Sequence, residues 1–236
     1  MKKIICSILC IALLCGCESE QTGSAVKEDS HELAFTVGGT SEYVHGYDTM
    51  KEMARDSKFV IYGEVLDSFC QAEEYFIFTY DQVRVNQVLY GDCEVGDTIY
   101  VRKTMGEVTL AEYIEGLKMI SPNSAEEYEE KYSTEEQETL YVQWENPDEI
   151  ESEVGQKSIY FLDELGIPEE CNEYHAYGRI NDAQGQYIEF TKENFQNVRD
   201  YAHEKADTNT VRTGSTEPLE QATVYTYEEI RDEIIQ

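Results

Sequence analysis

The sequence predicts a mainly β domain with peripheral helices (α+β), a small antiparallel barrel or sandwich. Two observations carry that reading. Runs rich in β-branched and aromatic residues recur between turn signals, at residues 59–66, 75–89, 98–102, 158–162, 174–180 and 186–190. Around them, helix starts are written as Ser or Thr with Glu three residues later.

Thr49 and Glu52 form such a pair and predict a helix over 48–57, with Met50, Met53 and Ala54 on one face. In the strand at 59–66, Gly63 marks a bend or bulge of the kind a curling strand needs. In the strand at 75–89, Phe76, Phe78 and Tyr80 alternate with Ile77, Thr79 and Asp81, and Val83 and Val85 alternate with Arg84. The phase slips at Asn86-Gln87, which predicts a second bulge. Turns at Gly91-Asp92 and Val95-Gly96-Asp97 lead to a third strand, where Ile99 and Val101 face one way and Tyr100 and Arg102 the other. Three strands joined in this order predict an antiparallel meander.

Residues 106–148 read differently, as an acidic, partly helical insertion. Helix starts are expected at Ser124 (Glu127) and Ser133 (Glu136), with a short strand over 140–144. The strand pattern then resumes through 158–162 and 174–180, and the turn Asn181-Asp182-Ala183-Gln184-Gly185 leads into 186–190. Thr191 is expected to cap a helix with Phe190 and Phe195 at the staple positions. Thr226 and Glu229 start a terminal helix with Ile230 and Ile234 on one side. The total is six or seven strands.

The amino-terminal residues carry an address. Lys2 and Lys3 precede a short apolar run over 4–14, which falls below the roughly 20 residues a membrane-spanning helix needs. The run closes on Leu14-Cys15-Gly16-Cys17, which resembles the lipobox of bacterial lipoproteins. That resemblance implies a signal peptide over 1–16 and lipid on the Cys17 sulfur. It places the protein at the cell membrane, on the extracytoplasmic side, with the membrane as a partner through that lipid. Residues 17–44 read as lipidated cysteine and flexible tether, and 45–236 as a single β-rich domain.

Composition limits the partners. The chain has 18 basic and 49 acidic residues, a formal charge of −31. Such a charge repels nucleic acid and anionic head groups alike, so nucleic acid is excluded and the lipid must do the membrane binding. Of seven cysteines, Cys6, Cys10 and Cys15 leave with the signal and Cys17 is lipidated. Cys70, Cys93 and Cys171 remain, so at most one internal disulfide forms, and Cys70–Cys93 is the candidate, in competition with free thiols. With His31, His45, His175 and His203 they show no zinc-ligand spacing, and no metal or cofactor is expected.

Residues 50–103 resemble a recurring segment of envelope lipoproteins and secreted proteins of Gram-positive bacteria. The matching pieces are Ala54-Arg-Asp-Ser-Lys-Phe-Val-Ile-Tyr-Gly-Glu-Val65, Val83-Arg-Val85, Val88-Leu-Tyr-Gly-Asp92 and Val95-Gly-Asp-Thr-Ile-Tyr-Val101, with Val154-Gly155 and Ile159-Tyr-Phe-Leu162 as the next strand. The resemblance implies an OB-like barrel, distantly similar to the netrin-module and metalloproteinase-inhibitor barrels. It brings no catalytic residue. The amino-terminal cysteine edge of such inhibitors is absent, which argues against an inhibitor.

No Gly-x-Ser-x-Gly elbow, His-Glu-x-x-His or phosphate loop is present. Cys171 and His175 lie four apart on a strand approach rather than on converging elements. Glu126-Glu127, Glu129-Glu130 and Glu135-Glu136 read as solvated helix faces, and the 181–185 turn lacks the ligand order of a calcium loop. The 18 tyrosines remain, among them Tyr43, Tyr47, Tyr62, Tyr100, Tyr174 and Tyr177; packing accounts for most, and some are expected to line a binding face for a protein, peptide or glycan. The expected function is a membrane-anchored binding module without enzymatic activity. The alternative is an envelope hydrolase, which requires convergent carboxylates or a Cys–His pair in a cleft.

Overall fold

The computed structural model describes residues 31–39, 46–167, 172–210 and 222–235. The lipobox and Cys17 lie outside them, as do Tyr43, His45 and Cys171.

The first element, β1 (Leu33–Gly38), corrects the expected tether over 17–44. Its Ala34, Phe35 and Val37 pack on a core cluster, so the strand belongs to the domain, which runs from His31. Helix α1 (Met50–Asp56) is where the pattern predicts it, with the Thr49 side chain accepting from the Glu52 N–H and Met50, Met53 and Ala54 buried. Then come β2 (Phe59–Glu73) and β3 (Phe76–Gly91), a long hairpin, and β4 (Thr98–Thr104), which completes the meander. The two expected bulges coincide in register: Tyr62 pairs with Gln87 and Gly63 with Val85, leaving Asn86 as the extra residue. Gly63 is required there, because a Cβ would collide with the Val83 side chain. A further irregularity between Val65 and Asp67 leaves Leu66 unpaired, and the hairpin changes phase beyond it.

The insertion holds β5 (Gly106–Thr109), α2 (Leu110–Lys118), α3 (Pro122–Lys131), α4 (Thr134–Thr139) and β6 (Tyr141–Glu145). A full capping box at Ser133–Glu136 starts α4 as expected. Helix α3 starts at Pro122 rather than at Ser124, because proline is pre-set for the first turn and Ser124 instead bonds Ser121. Thr109 and Glu112 form a second capping box that the sequence reading passed over. Strands β1, β6 and β5 make a small sheet in that order, and its cluster of Val108, Leu110, Ile114 and Val142 buries Ile77 of the hairpin.

The remaining elements are β7 (Lys157–Glu164), β8 (Tyr177–Arg179), β9 (Gln186–Thr191), β10 (Asn194–Asn197), α5 (Val198–Thr210), β11 (Val224–Thr226) and α6 (Tyr227–Ile235). A 3-10 turn over Asp182–Gly185 precedes β9. Two readings are corrected here. Residues 172–176 form a turn rather than the start of a strand. The helix expected after Thr191 begins only at Val198, where the Asn197 carboxamide accepts from the Arg199 N–H at 3.1 Å. The terminal helix has its predicted start, Thr226 exchanging hydrogen bonds with Glu229, and buries Ile230 and Ile234.

Five strands close on themselves. β7 pairs β2, β2 pairs β3, β3 pairs β4, β4 pairs β8, and β8 returns to β7. The β4–β8 contact is parallel and the rest antiparallel, so the ring is an OB-like barrel with one parallel seam rather than a wholly antiparallel one. Eleven strands occur among the described residues, more than the six or seven expected, because β5, β10 and β11 are too short to show a period and β1 follows a polar stretch that reads as tether. The barrel interior is Phe59, Ile61, Val65, Val83, Val85, Val101, Tyr160 and Leu162. Outside it, α1 and α6 cover β2, β7 and β9 through Met53, Val60, Ile159, Phe161, Phe195 and Ile230.

One end of the barrel is polar. Arg179, wholly buried, places its guanidinium on Glu149, Asp182 (2.8 Å) and Gln186 (2.8 Å). Lys103 donates to the Ile150 carbonyl at 2.7 Å and lies 3.7 Å from Asp81. Asp81 also accepts from Ser68 and Ser152 at 2.8 and 2.6 Å. Glu149, Ile150 and Ser152 belong to one segment, 146–156, which these charges pin across the barrel mouth. Burial pushes the Glu149 carboxyl up, opposed by Arg179, while Glu149 and Asp182 hold Arg179 charged.

Breaking this pair is expected to cost more than replacing it. Arg179→Met leaves a buried carboxylate alone and is expected to lower unfolding stability by about 3–5 kcal/mol at neutral pH, with most of the loss recovered when Glu149→Leu is added. The lone carboxyl has a folded-state pKa raised above its unfolded value. The folded form therefore keeps a proton the unfolded chain has released, and the deficit shrinks as pH falls through the folded pKa. Urea titrations of both variants between pH 5 and 8 measure this.

Candidate functional site

The phase of the hairpin decides which side chains face outward. Ile77, Thr79, Asp81, Val83 and Val85 point inward, so Phe76, Phe78 and Tyr80 point out. Across the register Tyr80 lies between Phe69 on β2 and Arg102 on β4, and Gln82 lies opposite Tyr100. The outer wall of the meander is therefore aromatic where its inner side is aliphatic.

Four rings form its centre. Phe69 and Tyr80 stack at 5.4 Å between centroids with 13° between planes. Tyr174 reaches over from the 172–176 turn and meets Phe69, Tyr80 and Tyr100 at 5.1, 5.0 and 5.5 Å. Asn172 holds that turn: its side chain donates to the Ala176 carbonyl at 3.0 Å and accepts from the Ala176 N–H at 2.7 Å. The next residue after Tyr174, His175, adopts φ +48°, a left-handed conformation that lets so tight a turn present the ring.

Polar groups frame the rings. Arg102 lies 4.1 Å above the Phe78 ring and bonds Glu73 at 3.2 Å, and Glu73 also accepts from the Tyr80 hydroxyl. Burial and this carboxylate push the Tyr80 hydroxyl pKa up, so it stays protonated and donating. Gln82 donates to the Tyr100 hydroxyl at 3.4 Å. Tyr80 itself is only 3% exposed, whereas Phe69, Tyr100 and Tyr174 are half-buried and keep part of their surface in solvent. The surface can offer ring faces and planar hydrogen-bonding groups together. It carries no uncommitted guanidinium among these residues, since Arg102 is neutralised by Glu73.

The other residues marked by the sequence are dispersed. Cys70 and Cys93 are free, which corrects the expected bridge. Cys70 pairs in register with Thr79 near the closed end of the hairpin, while Cys93 follows Gly91 at the open end, opposite Phe59. Eleven residues of β2 separate those levels, roughly 36 Å of strand, far beyond disulfide reach. The acidic runs of α3 and α4 are exposed, with Glu129 on Lys118 at 3.0 Å. Asp182 of the 181–185 turn points inward to Arg179. Tyr177 packs on Phe59 and Tyr47 bonds Asp56. Among the described residues no group of three or more His, Cys, Asp or Glu is placed to hold a metal ion, and no helix is long and apolar enough to cross a membrane.

Sequence reasoning singled out Tyr100 and Tyr174 but missed their partners Phe69 and Tyr80. It also missed Asp81 and Lys103, whose signal was present: each is a polar residue in phase with the inward-facing aliphatics of its strand.

No protein-family model, no curated protein and no solved structure matches this chain.

Free thiols give a direct check. Iodoacetamide in urea without reductant is expected to alkylate both Cys70 and Cys93, read by peptide mapping; recovery of a Cys70–Cys93 cross-linked peptide would contradict the hairpin register.

Proposed function

We propose that this protein is a lipid-anchored module of the bacterial cell membrane that binds a glycan on the outer wall of β2, β3 and β4. The observation that carries the reading is the ring cluster of Phe69, Tyr80, Tyr100 and Tyr174 on that wall. Barrels of this topology bind oligonucleotides and oligosaccharides on the face of their second and third strands, which here are β3 and β4. The transfer rests on fold-level analogy, and charge decides between the two ligand classes. A chain of formal charge −31 with Arg102 committed to Glu73 offers nothing to a phosphate backbone. Half-exposed rings beside Gln71, Gln82 and Asp67 suit sugar rings, which present apolar faces and hydroxyl edges together.

Attachment belongs to the same proposal. Lipid on Cys17 would hold the domain by a short leash, since β1 begins at Leu33. Sixteen residue steps reach at most about 55 Å when fully extended. The ring cluster would then meet its ligand close to the membrane.

Two measurements test this. Wild-type protein is expected to partition with the membrane fraction, and Cys17→Ser to abolish that partition. Against polysaccharides purified from the envelope, the soluble domain is expected to bind one class saturably. Tyr100→Ala and Tyr174→Ala should each weaken binding at least tenfold, about 1.4 kcal/mol, with unchanged melting. Capture of a sugar-free protein that still depends on these tyrosines would replace the glycan and keep the module. Turnover of an envelope substrate, abolished by one point substitution, would replace both with a hydrolase.

A further inference from the structure

A separate cleft of about 450 Å³ opens where the start of α6 meets β2, β3 and the β9–β10 turn. Tyr62, its residue on β2, is seven residues from Phe69, roughly 23 Å along the strand. Its floor is aromatic. Tyr62, Phe195 and Tyr227 have centroids 5.8 to 6.3 Å apart, with planes inclined at 49° to 75°. The rings are thus tilted towards one another rather than stacked; Phe195 is 1% exposed and backs the other two, and Tyr62 and Tyr227, half-buried, keep part of their surface towards the cleft.

The rim is anionic. Glu189, Glu193 and Glu228 line it, and the cation paired with one of them is Arg231, which bridges Glu228 and Asp232 on α6. Both tyrosine hydroxyls are tied down by their own donation, Tyr62 to Glu189 at 2.7 Å and Tyr227 to Gln87. Glu189, on β9, also accepts the Glu193 N–H at 3.0 Å, and Glu193 stands at φ +69° in the β9–β10 turn, which draws that turn against the Glu189 carboxylate. Burial first, and then the Glu189 and Glu64 carboxylates, push the Tyr62 hydroxyl pKa upward.

An aromatic floor under an anionic rim disfavours anions and gives a neutral apolar group no use for the carboxylates. It fits an ammonium head, which gains from the quadrupole of the ring faces and from the rim charge together. We propose that this cleft binds an alkylammonium group, supplied by a lysine side chain or by an amino sugar of the envelope.

The test is titration of the purified domain with n-butylammonium chloride, followed by the ring-proton NMR signals of Tyr62 and Tyr227. A saturable shift is expected, with a dissociation constant on the order of 1–10 mM. n-Butanol, the neutral isostere, should give none, and 0.5 M salt should weaken the ammonium response. The double variant Glu189→Gln, Glu193→Gln is expected to weaken binding at least tenfold. Tyr227→Leu, which keeps the apolar packing and removes the ring, should weaken it severalfold and serves if the double variant does not fold. Nα-acetyl-lysine amide and glucosamine then distinguish the two sources by which binds more tightly. Absence of saturation at 50 mM, equal binding of n-butanol, or wild-type affinity in the variants would overturn the proposal. Tyr100→Ala should leave the ammonium response unchanged, so this site and the glycan wall stand or fall separately.

Discussion

Strand β7 is apolar on both faces, and the domain is organised around that fact. Ile159, Tyr160, Phe161 and Leu162 are all fully buried, with Tyr160 and Leu162 turned into the barrel and Ile159 and Phe161 turned out beneath α1 and α6. A strand of this kind cannot lie at an edge facing water without exposing one of its two sides. It is therefore paired by β2 along one edge and by β9 and then β8 along the other, so that second edge both extends the sheet and closes the ring. The two cores share it, so neither packs without the other.

Closure in turn sets where a ligand can meet the molecule. A five-stranded ring has no lumen: its interior is filled by aliphatic side chains and Tyr160, and its polar end is plugged by Arg179, Lys103 and the 146–156 segment. Binding must use the outside. Helices α1 and α6 cover the β2–β7–β9 wall, and the small sheet with α2–α4 covers the inward side of the hairpin tip. Among the described residues, what stays uncovered is the outward side of the meander, where the ring cluster stands, and the margin where α6 begins, where the ammonium cleft opens.

The sequence made local features legible and left long-range ones hidden. Thr49–Glu52, Ser133–Glu136 and Thr226–Glu229 were readable because a cap is settled within four residues. The bulge at Asn86 was readable because a phase slip shows along a single strand. The β4–β8 seam was not, since two residue pairs show no period, and parallel pairing leaves no turn between the partners. Strand β1 was hidden for a related reason: its partner β6 lies a hundred residues away, and the polar residues before it set its apparent character. Tyr174 was legible as an aromatic but not as the lid of a cluster, because Asn172 converts an apparent strand into a turn. The Cys70–Cys93 reading failed on the same ground: spacing along the chain is no guide to distance once a hairpin runs fifteen residues on one side and sixteen on the other.

Charge links the two proposed surfaces to the proposed anchor. Loss of Lys2 and Lys3 with a signal peptide would leave 16 basic against 49 acidic residues, a formal −33. A domain so charged is pushed from anionic head groups within about a Debye length, some 8 Å at physiological salt. Lipid on Cys17 and this repulsion would act against each other, one holding the domain near the bilayer and the other keeping it from lying down. The product would be a domain near the surface with its outer walls in water, the state in which an aromatic wall would serve a tethered module. The same field selects among ligands: anionic polymers are repelled, neutral sugars are indifferent to it, and ammonium groups are drawn in, so a single excess of carboxylates serves spacing and selectivity together.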